Sequence, residues 1–383
     1  MFKTTVLIIR NIVDCYAQDG DDNFAPMIDS IPSLLSDKRE IRFLTITTIG
    51  SLVKLPGRSR YDFFFRYFVL GEKILRKLGS FSQKSSHVEC YYWEKFLKRN
   101  NISKVFCIEP GQSFLKVCKY LSVEVCEVQH GVVGISLEHM QKDDFYSDFF
   151  LSWDKRSGHN ASKRSFGKTT SLTGCNMALH YYKSKNPKNL ICRLDCKSDK
   201  KCVLVSLQWG LFGPHLYSEL ELEDSYLPIN LLKYMANSKD RYDYIFRLHP
   251  MSKKSGEVNK IFSSLRDFGL VENIDEFEMV SSISIFQQLE VVDLHVTLYS
   301  SVTIEASYFG IPTLLLDPAL KKGGSREKYF EKEIKDGVAF IADIYDLEAE
   351  FQKAFQLPDN ALTPSKKLFD RCERSVKKFL GLN

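Results

Sequence analysis

The sequence contains no run of about 18 uninterrupted apolar residues, the length a helix needs to cross the hydrocarbon core of a bilayer. It has no GxGxxG fingerprint, which argues against a nicotinamide-dependent enzyme, and no HExxH or other dense set of metal ligands. No DxD-type aspartate pair follows a strand in the second half, so metal-dependent transfer is not indicated. The stretch "SFGKTT" (165–170) invites a P-loop reading, but the motif's first glycine is missing and no strand directly precedes it. The ten cysteines are scattered. Even Cys192, Cys196 and Cys202 lack the second half of a zinc module, so reduced and mostly buried thiols are expected. The N-terminal "MFKTTVLIIRNIVDCY" has a short apolar core broken by Arg10, with no small-residue cleavage site after it. It reads as a first strand and not as a signal peptide, and a cytoplasmic protein is the expectation.

What is present describes a two-domain chain. The 383 residues are long for one domain, and 44% apolar with 26% charged residues is ordinary for a globular protein. The net charge of +5 suits anionic ligands or an anionic membrane surface and is too small for a nucleic-acid footprint. The first hundred residues mix apolar runs and helical patterns, with helices expected over 60–79 and 91–104. From residue 104 the grammar is clearer. "KVFCIE" reads as a buried strand, "SFLKVCKYL" as a helix and "VEVCEVQHG" as a strand ending in polar residues. "DFFLSW" follows as a strand, and the Gly/Ser/Lys-rich stretch 154–174 reads as loop or irregular helix. After a polar linker near residue 190, "CVLVSLQ", "YDYIFRLHP", "VVDLHVTL" and a final "PTLLLD" read as strands separated by helices. Strand–helix–strand units build parallel sheets, so the expected fold is α/β: two Rossmann-like doubly wound halves facing each other across a cleft.

In such sheets ligands sit beyond the carboxyl ends of strands, which makes the residues just after each strand the informative ones. They are Glu109, Gln129-His130-Gly131, Gln208, Arg247 with His249, and Tyr299-Ser300-Ser301. A serine that caps a helix leaves backbone N–H groups for a phosphate. Glu305, four residues past Ser301, has the chemistry to accept hydrogen bonds from ribose hydroxyls or to complement the helix dipole. His249, held extended by Pro250, and Arg247 suit a nucleotide phosphate, and Gln208 ends the neighbouring strand. Glu109 or His130 is a candidate general base for a sugar hydroxyl, and sequence order leaves both open.

Taken in order, "EVQHG", "SWDKRSG", "RLHP" and "YSSVTIEA" resemble the motifs of GT-B glycosyltransferases that build bacterial capsules and O-antigens. "RLHP" and "YSSVTIEA" resemble the HP and SS/ST motifs of bacterial sialyltransferases, Kdo transferases and polyol-phosphate transferases. The resemblance covers about 104–317 and implies a GT-B fold. The N-terminal domain (1–190) would bind the acceptor, the C-terminal domain (191–360) the nucleotide-sugar donor, and the last helix (361–383) would pack back on the N-domain. It assigns the donor's phosphates to His249, Ser300 and Ser301, and the base to Glu109, although Ile108-Glu109-Pro110-Gly111 lacks the second acidic residue of the sialyltransferase base motif. The implied activity is metal-independent, inverting transfer of a sugar from a CMP-, UDP- or GDP-linked donor to a glycan or lipid-linked glycan. No tightly bound cofactor is expected. A peripheral contact with the inner face of the cytoplasmic membrane is one expectation. The arginine–aromatic stretch 57–68 is a better candidate than the basic C-terminal helix for touching a lipid-linked acceptor, although its phenylalanines read first as a core helix. Alternatives are polyol-phosphate transfer, sugar-nucleotide epimerisation on the same fold, or a catalytically silent binding subunit.

Overall fold

The computed structural model describes residues 4–11, 17–19, 22–35, 40–48, 82–131, 133, 141–179, 199–208, 220–356 and 366–382. The stretch 57–68, the helix expected over 60–79 and the linker near residue 190 lie outside them. The chain divides into two compact units, Met1–Ser184 with Lys366–Asn383, and Lys185–Ser365.

In the first unit, β1 (Thr4–Asn11) is followed by a small antiparallel hairpin of β2 (Ala17–Asp19) and β3 (Asp22–Phe24). Then come β4 (Ile41–Thr48), β5 (Ile102–Cys107), β6 (Glu124–Val128), β7 (Phe149–Ser152) and β8 (Thr170–Thr173). The main sheet runs β4-β1-β5-β6-β7-β8 with every pair parallel. The second unit holds β9 (Lys201–Ser206), β10 (Tyr242–Arg247), β11 (Leu294–Thr297), β12 (Thr313–Leu315) and β13 (Ala339–Ile341), ordered β10-β9-β11-β12-β13 and again all parallel. In both sheets the second strand of the main series lies on one side of the first and the remaining strands on the other, the doubly wound order with a switch point beside the first strand. The strands read as continuous apolar runs because helices cover both faces of a parallel sheet. Val6, Leu7 and Ile8 are consecutive and fully buried, as are Val203, Leu204 and Val205.

Three local expectations change. The helix expected over 91–104 is Ser82–Arg99, and Ile102–Cys107 is already strand, with Asn101 at φ +50° making the turn between them. The polar stretch 154–174 holds a regular helix, Lys155–Arg164, and the edge strand β8. Its composition hides the helix because its stability comes from a cap and close packing. The Asp154 side chain accepts from the Ser157 backbone N–H at 2.8 Å, and a Cβ on Gly158 would lie 1.9 Å from Ser171 Oγ. A side chain there would have to displace the Ser171 and Ser152 hydroxyls, so glycine is what lets this helix lie so close to β8 without rearrangement. Finally, "PTLLLD" is not the last strand, since β13 pairs beyond it.

The C-terminal helix Lys366–Leu380 belongs to the first unit and buries Cys372, Val376 and Phe379, a stripe spaced by four and three residues. The Phe379 ring packs on Phe106 at 4.8 Å and Phe149 at 5.3 Å, while Arg371 Nη2 and Ser375 Oγ donate to the Gly174 and Thr173 carbonyls. In the second unit a buried histidine links three adjacent strands. His295 on β11 places Nε2 3.0 Å from Ser206 Oγ on β9 and Nδ1 3.1 Å from Thr313 Oγ1 on β12. Among the described residues no helix is long and apolar enough to cross a membrane.

Two stability outcomes follow from this packing. Phe379→Ala should cost about 3 kcal/mol in urea unfolding, by transfer and cavity terms together. Burial pushes the His295 pKa down from 6.5 to about 3. The unfolded chain takes up a proton there that the folded chain refuses, so stability falls as pH drops from 6.5 towards 3. Between pH 7 and pH 5 this one group should remove about 2 kcal/mol, and His295→Gln should flatten that part of the pH profile.

Candidate functional site

The first unit builds its site at the ends of β5 and β6. After β5 the backbone passes through Glu109 at φ +48°, a left-handed conformation that side-chain-bearing residues rarely adopt. Pro110 and Gly111 then lead into the helix Gln112–Tyr120. After β6, Gln129 is buried and its amide is fully engaged. Its Oε1 accepts from the Trp153 backbone N–H at 2.7 Å, and its Nε2 donates to the Gly131 carbonyl at 2.8 Å and Ser157 Oγ at 3.2 Å. That clamp fixes the turn carrying His130. The His130 ring reaches Glu109, with Nδ1 3.6 Å from Oε1, just outside hydrogen-bonding range but close for an ion pair. Both groups face solvent, His130 at 40% and Glu109 at 68% side-chain exposure. Thus the structure joins the two residues between which the sequence left the base open.

They line the mouth of a cavity of about 530 Å³ together with Glu127, Ser147, Arg164 and Thr169. Glu127, the fourth residue of β6, accepts a hydrogen bond from Ser147 Oγ at 3.1 Å. The two carboxyl groups are pushed in opposite directions. His130 beside it, helped by Arg164, holds Glu109 below the ordinary glutamate pKa against a desolvation cost. Burial raises Glu127, with the negative charge of Glu109 adding to the rise and Ser147 and Arg164 opposing it. Arg164 ends its helix with its Nε buried and making no hydrogen bond. Opposed carboxyl pKa values in one cavity are the electrostatic pattern of an acid–base pair. Sequence reasoning missed Glu127 and Arg164. The available signal was a glutamate one residue before the end of a strand otherwise buried on both faces, a place where a charge needs a reason.

In the second unit, register puts Arg247, Ser206 and Thr297 in one row at the carboxyl ends of β10, β9 and β11. Gln208, His249, Ser300 and Ser301 follow within a few residues, so these candidates share one sheet edge. Their side chains differ in what they are already doing. Gln208 is buried and donates to Thr297 Oγ1 at 3.1 Å, bridging β9 and β11 at the switch point. Arg247 Nη1 donates to the Ile283 carbonyl at 2.6 Å and Gln288 Oε1 at 2.8 Å, which ties the helices Ile274–Ser282 and Ile285–Leu289 to β10. His249 is half-buried at the start of the short helix Pro250–Ser255, where its carbonyl accepts from the Ser252 N–H.

The helix Val302–Tyr308 is capped by Ser300, whose Oγ accepts from the Val302 N–H at 3.3 Å. Ser301, the formal cap position, makes no side-chain cap bond and is half-buried. Glu305 is only 6% exposed and presents little surface to a ribose. Gly310 at φ +69° ends that helix. Beside this edge, Arg326 stacks its guanidinium 4.2 Å from the Tyr299 ring centre and pairs with the buried Asp317 at 2.9 Å. Among the described residues no cluster of three or more metal-ligating side chains occurs. Cys202 is buried in β9, while Cys192 and Cys196 lie outside those residues.

The opposed carboxyls are directly measurable. In a carboxyl-carbon NMR titration Glu109 should titrate below, and Glu127 above, an ordinary glutamate. His130→Gln should move Glu109 upward and leave Glu127, bonded to Ser147, still above an ordinary glutamate.

No family model matches the sequence, and no curated protein matches it. The fold is shared with solved structures. The S. aureus MnaA–UDP co-structure aligns with a TM-score of 0.58 at 12% identity, covering 99% of this chain and 98% of that one. UDP-GlcNAc 2-epimerase from Methanocaldococcus jannaschii aligns with a TM-score of 0.57 at 14% identity, covering 98% and 100%. UDP-GlcNAc 2-epimerase from Neisseria meningitidis, bound to UDP-GlcNAc, gives 0.56 at 11% identity, covering 99% of each chain. At such identities the likeness is one of architecture: this chain has the GT-B-like, two-domain α/β fold.

Proposed function

We propose that the chain is an enzyme acting on a nucleotide-activated sugar. In this reading Glu109, His130 and Glu127 carry the acid–base chemistry, and His249, Ser300 and Ser301 hold the nucleotide's phosphates. The observation that carries it is the cavity in which one carboxylate is paired with an imidazole and a second, buried carboxyl is biased towards holding its proton. Ser301, with its hydroxyl outside the helix cap, is available in this scheme as a phosphate donor, and the His249 imidazole supplies a second. Gln208, Arg247 and Glu305 act behind these groups, because the first two are engaged in holding the strand ends together and the third is buried.

Two reactions use this machinery. Epimerisation inverts a carbon centre and calls for one group to remove a proton and another to return it, which two differently biased acid–base groups supply. The solved structures named as UDP-GlcNAc 2-epimerases, which match nearly the full length of this chain, favour this reading. Glycosyl transfer to a bacterial surface glycan (O-antigen, capsule or lipooligosaccharide) needs one base for the acceptor hydroxyl. It is favoured by the order of "EVQHG", "RLHP" and "YSSVTIEA" and by the solvent-facing Glu109–His130 pair, which an acceptor can reach. Transfer also requires stabilisation of the departing nucleotide phosphate, and a single well-placed donor contributes roughly 3 kcal/mol to such stabilisation.

One experiment separates them. The protein is incubated with UDP-GlcNAc in deuterated water without acceptor and followed by NMR. An epimer carrying solvent deuterium at the inverted carbon assigns epimerisation. An unchanged donor that releases UDP only when a glycan acceptor is added assigns transfer, with an inverted anomeric configuration expected. In either case His130→Ala should lower the rate by roughly 10²–10⁴-fold. Absence of binding and turnover with UDP-, CMP- and GDP-linked sugars alike would sink the proposal. His249→Ala should weaken nucleotide binding by about 10- to 100-fold, read as a lost thermal shift.

A further inference from the structure

The outer face of the helices Ser82–Arg99 and Gln112–Tyr120 has a composition that the cavity chemistry does not use. Their inner faces are committed: Trp93, Leu97, Phe114 and Val117 are buried in the core of the first unit. The outer faces carry Tyr91, Tyr92 and Tyr120, exposed at 52%, 41% and 74%. These are three of the seven large hydrophobic side chains exposed among the described residues, and they lie on two helices packed side by side.

The three rings are joined by lysines into one strip. Tyr91 and Tyr92 meet edge-to-face at 5.8 Å. Lys95, one turn on, holds its ammonium 4.7 Å from the Tyr91 ring centre. Lys98, in the next turn, lies 5.9 Å from the ring of Tyr120 on the other helix. Arg99, Lys116 and Lys119 are exposed beside it. The acids in reach are fewer: Glu94 pairs with Lys98 at 2.5 Å, Asp148 lies 3.7 Å from Lys119, and Glu89 is half-buried on the same helix. Five cations against three acids leave the strip net positive, with tyrosines standing among the charges.

We propose that this strip is where the protein rests on an anionic phospholipid bilayer. A phenol ring pairs an apolar body with a polar tip, which suits the headgroup zone, and lysine stems lie along apolar surface while their ammonium groups reach phosphate. Charge complementarity selects an anionic surface over a neutral one. The two lysine–carboxylate pairs of the strip, Lys98–Glu94 and Lys119–Asp148, lie at the surface, so lipid phosphate gains the lysine charge without first breaking a buried ion pair. The contact is peripheral, and it is independent of which reaction the cavity performs.

The test is flotation of the full-length protein with vesicles of equimolar phosphatidylglycerol and phosphatidylcholine, against vesicles of phosphatidylcholine alone. Binding is expected only to the anionic vesicles at about 0.05 M salt, with release at about 0.5 M, where the screening length shortens to a few ångströms. Lys95→Glu/Lys98→Glu/Lys116→Glu/Lys119→Glu should weaken partitioning by roughly a hundredfold or more. A second variant, Tyr91→Ser/Tyr120→Ser, keeps every charge and should lower binding while leaving its salt dependence. All six positions are exposed, so both variants should keep the wild-type melting temperature. The proposal is overturned if the wild type stays with neither vesicle, binds both equally, or binds the anionic ones undiminished in the two variants. That last outcome would place the contact elsewhere on the chain.

Discussion

Both main sheets are entirely parallel, and that constraint governs where this protein can do chemistry. A parallel sheet is covered by helices on both faces, so its strands must be apolar on both sides and polar side chains are driven to the strand ends. β1 and β9 show the result in runs of consecutive buried residues. Glu109, His130, Gln208, His249 and Ser300 are all found just beyond a strand's carboxyl end, and the row of Arg247, Ser206 and Thr297 marks that edge in the second unit.

A strand end must first be held in place, and several polar groups are consumed in doing so. Gln129 engages three partners to fix the His130 turn, Gln208 bridges two strands, and Arg247 anchors a helix pair. His295 meets the same demand inside the sheet, where its two ring nitrogens each find a hydroxyl and burial keeps it neutral. Residue type alone does not separate these supporting groups from those available to a ligand. Both kinds are polar, and both follow strands.

Glu127 is a carboxylate that departs from the rule of apolar strands, and the cavity accounts for it. A carboxyl in a parallel strand is tolerated because it opens onto that space and has the Ser147 hydroxyl as a partner. Its burial and its distance-dependent coupling to Glu109 and Arg164 then set its proton affinity against that of its neighbour. The Glu109–His130 pair owes its geometry to backbone, namely the left-handed turn at Glu109 and the Gln129 clamp under His130.

How much was legible in the sequence follows from which signals are local. Apolar runs separated by helical periodicity determined two doubly wound α/β halves, and the polar residues after "VFCIE", "VEVCEV" and "VVDLHVTL" located the strand ends, because both depend on near neighbours in the chain. The helix Lys155–Arg164 was only half legible, as one of two readings of its stretch, since a polar, glycine-containing segment is held helical by the Asp154 cap and the close approach of Gly158 to β8. The partnership of Glu109, Glu127 and Arg164 was not legible, since these residues are separated by up to 55 positions and meet only when β5, β6 and that helix are assembled. The sequence by itself determined the architecture and the edge where chemistry can occur. The tertiary structure alone decided which of those polar groups support the fold and which carry perturbed charge, because desolvation and Coulomb coupling depend on distances that the linear order does not contain.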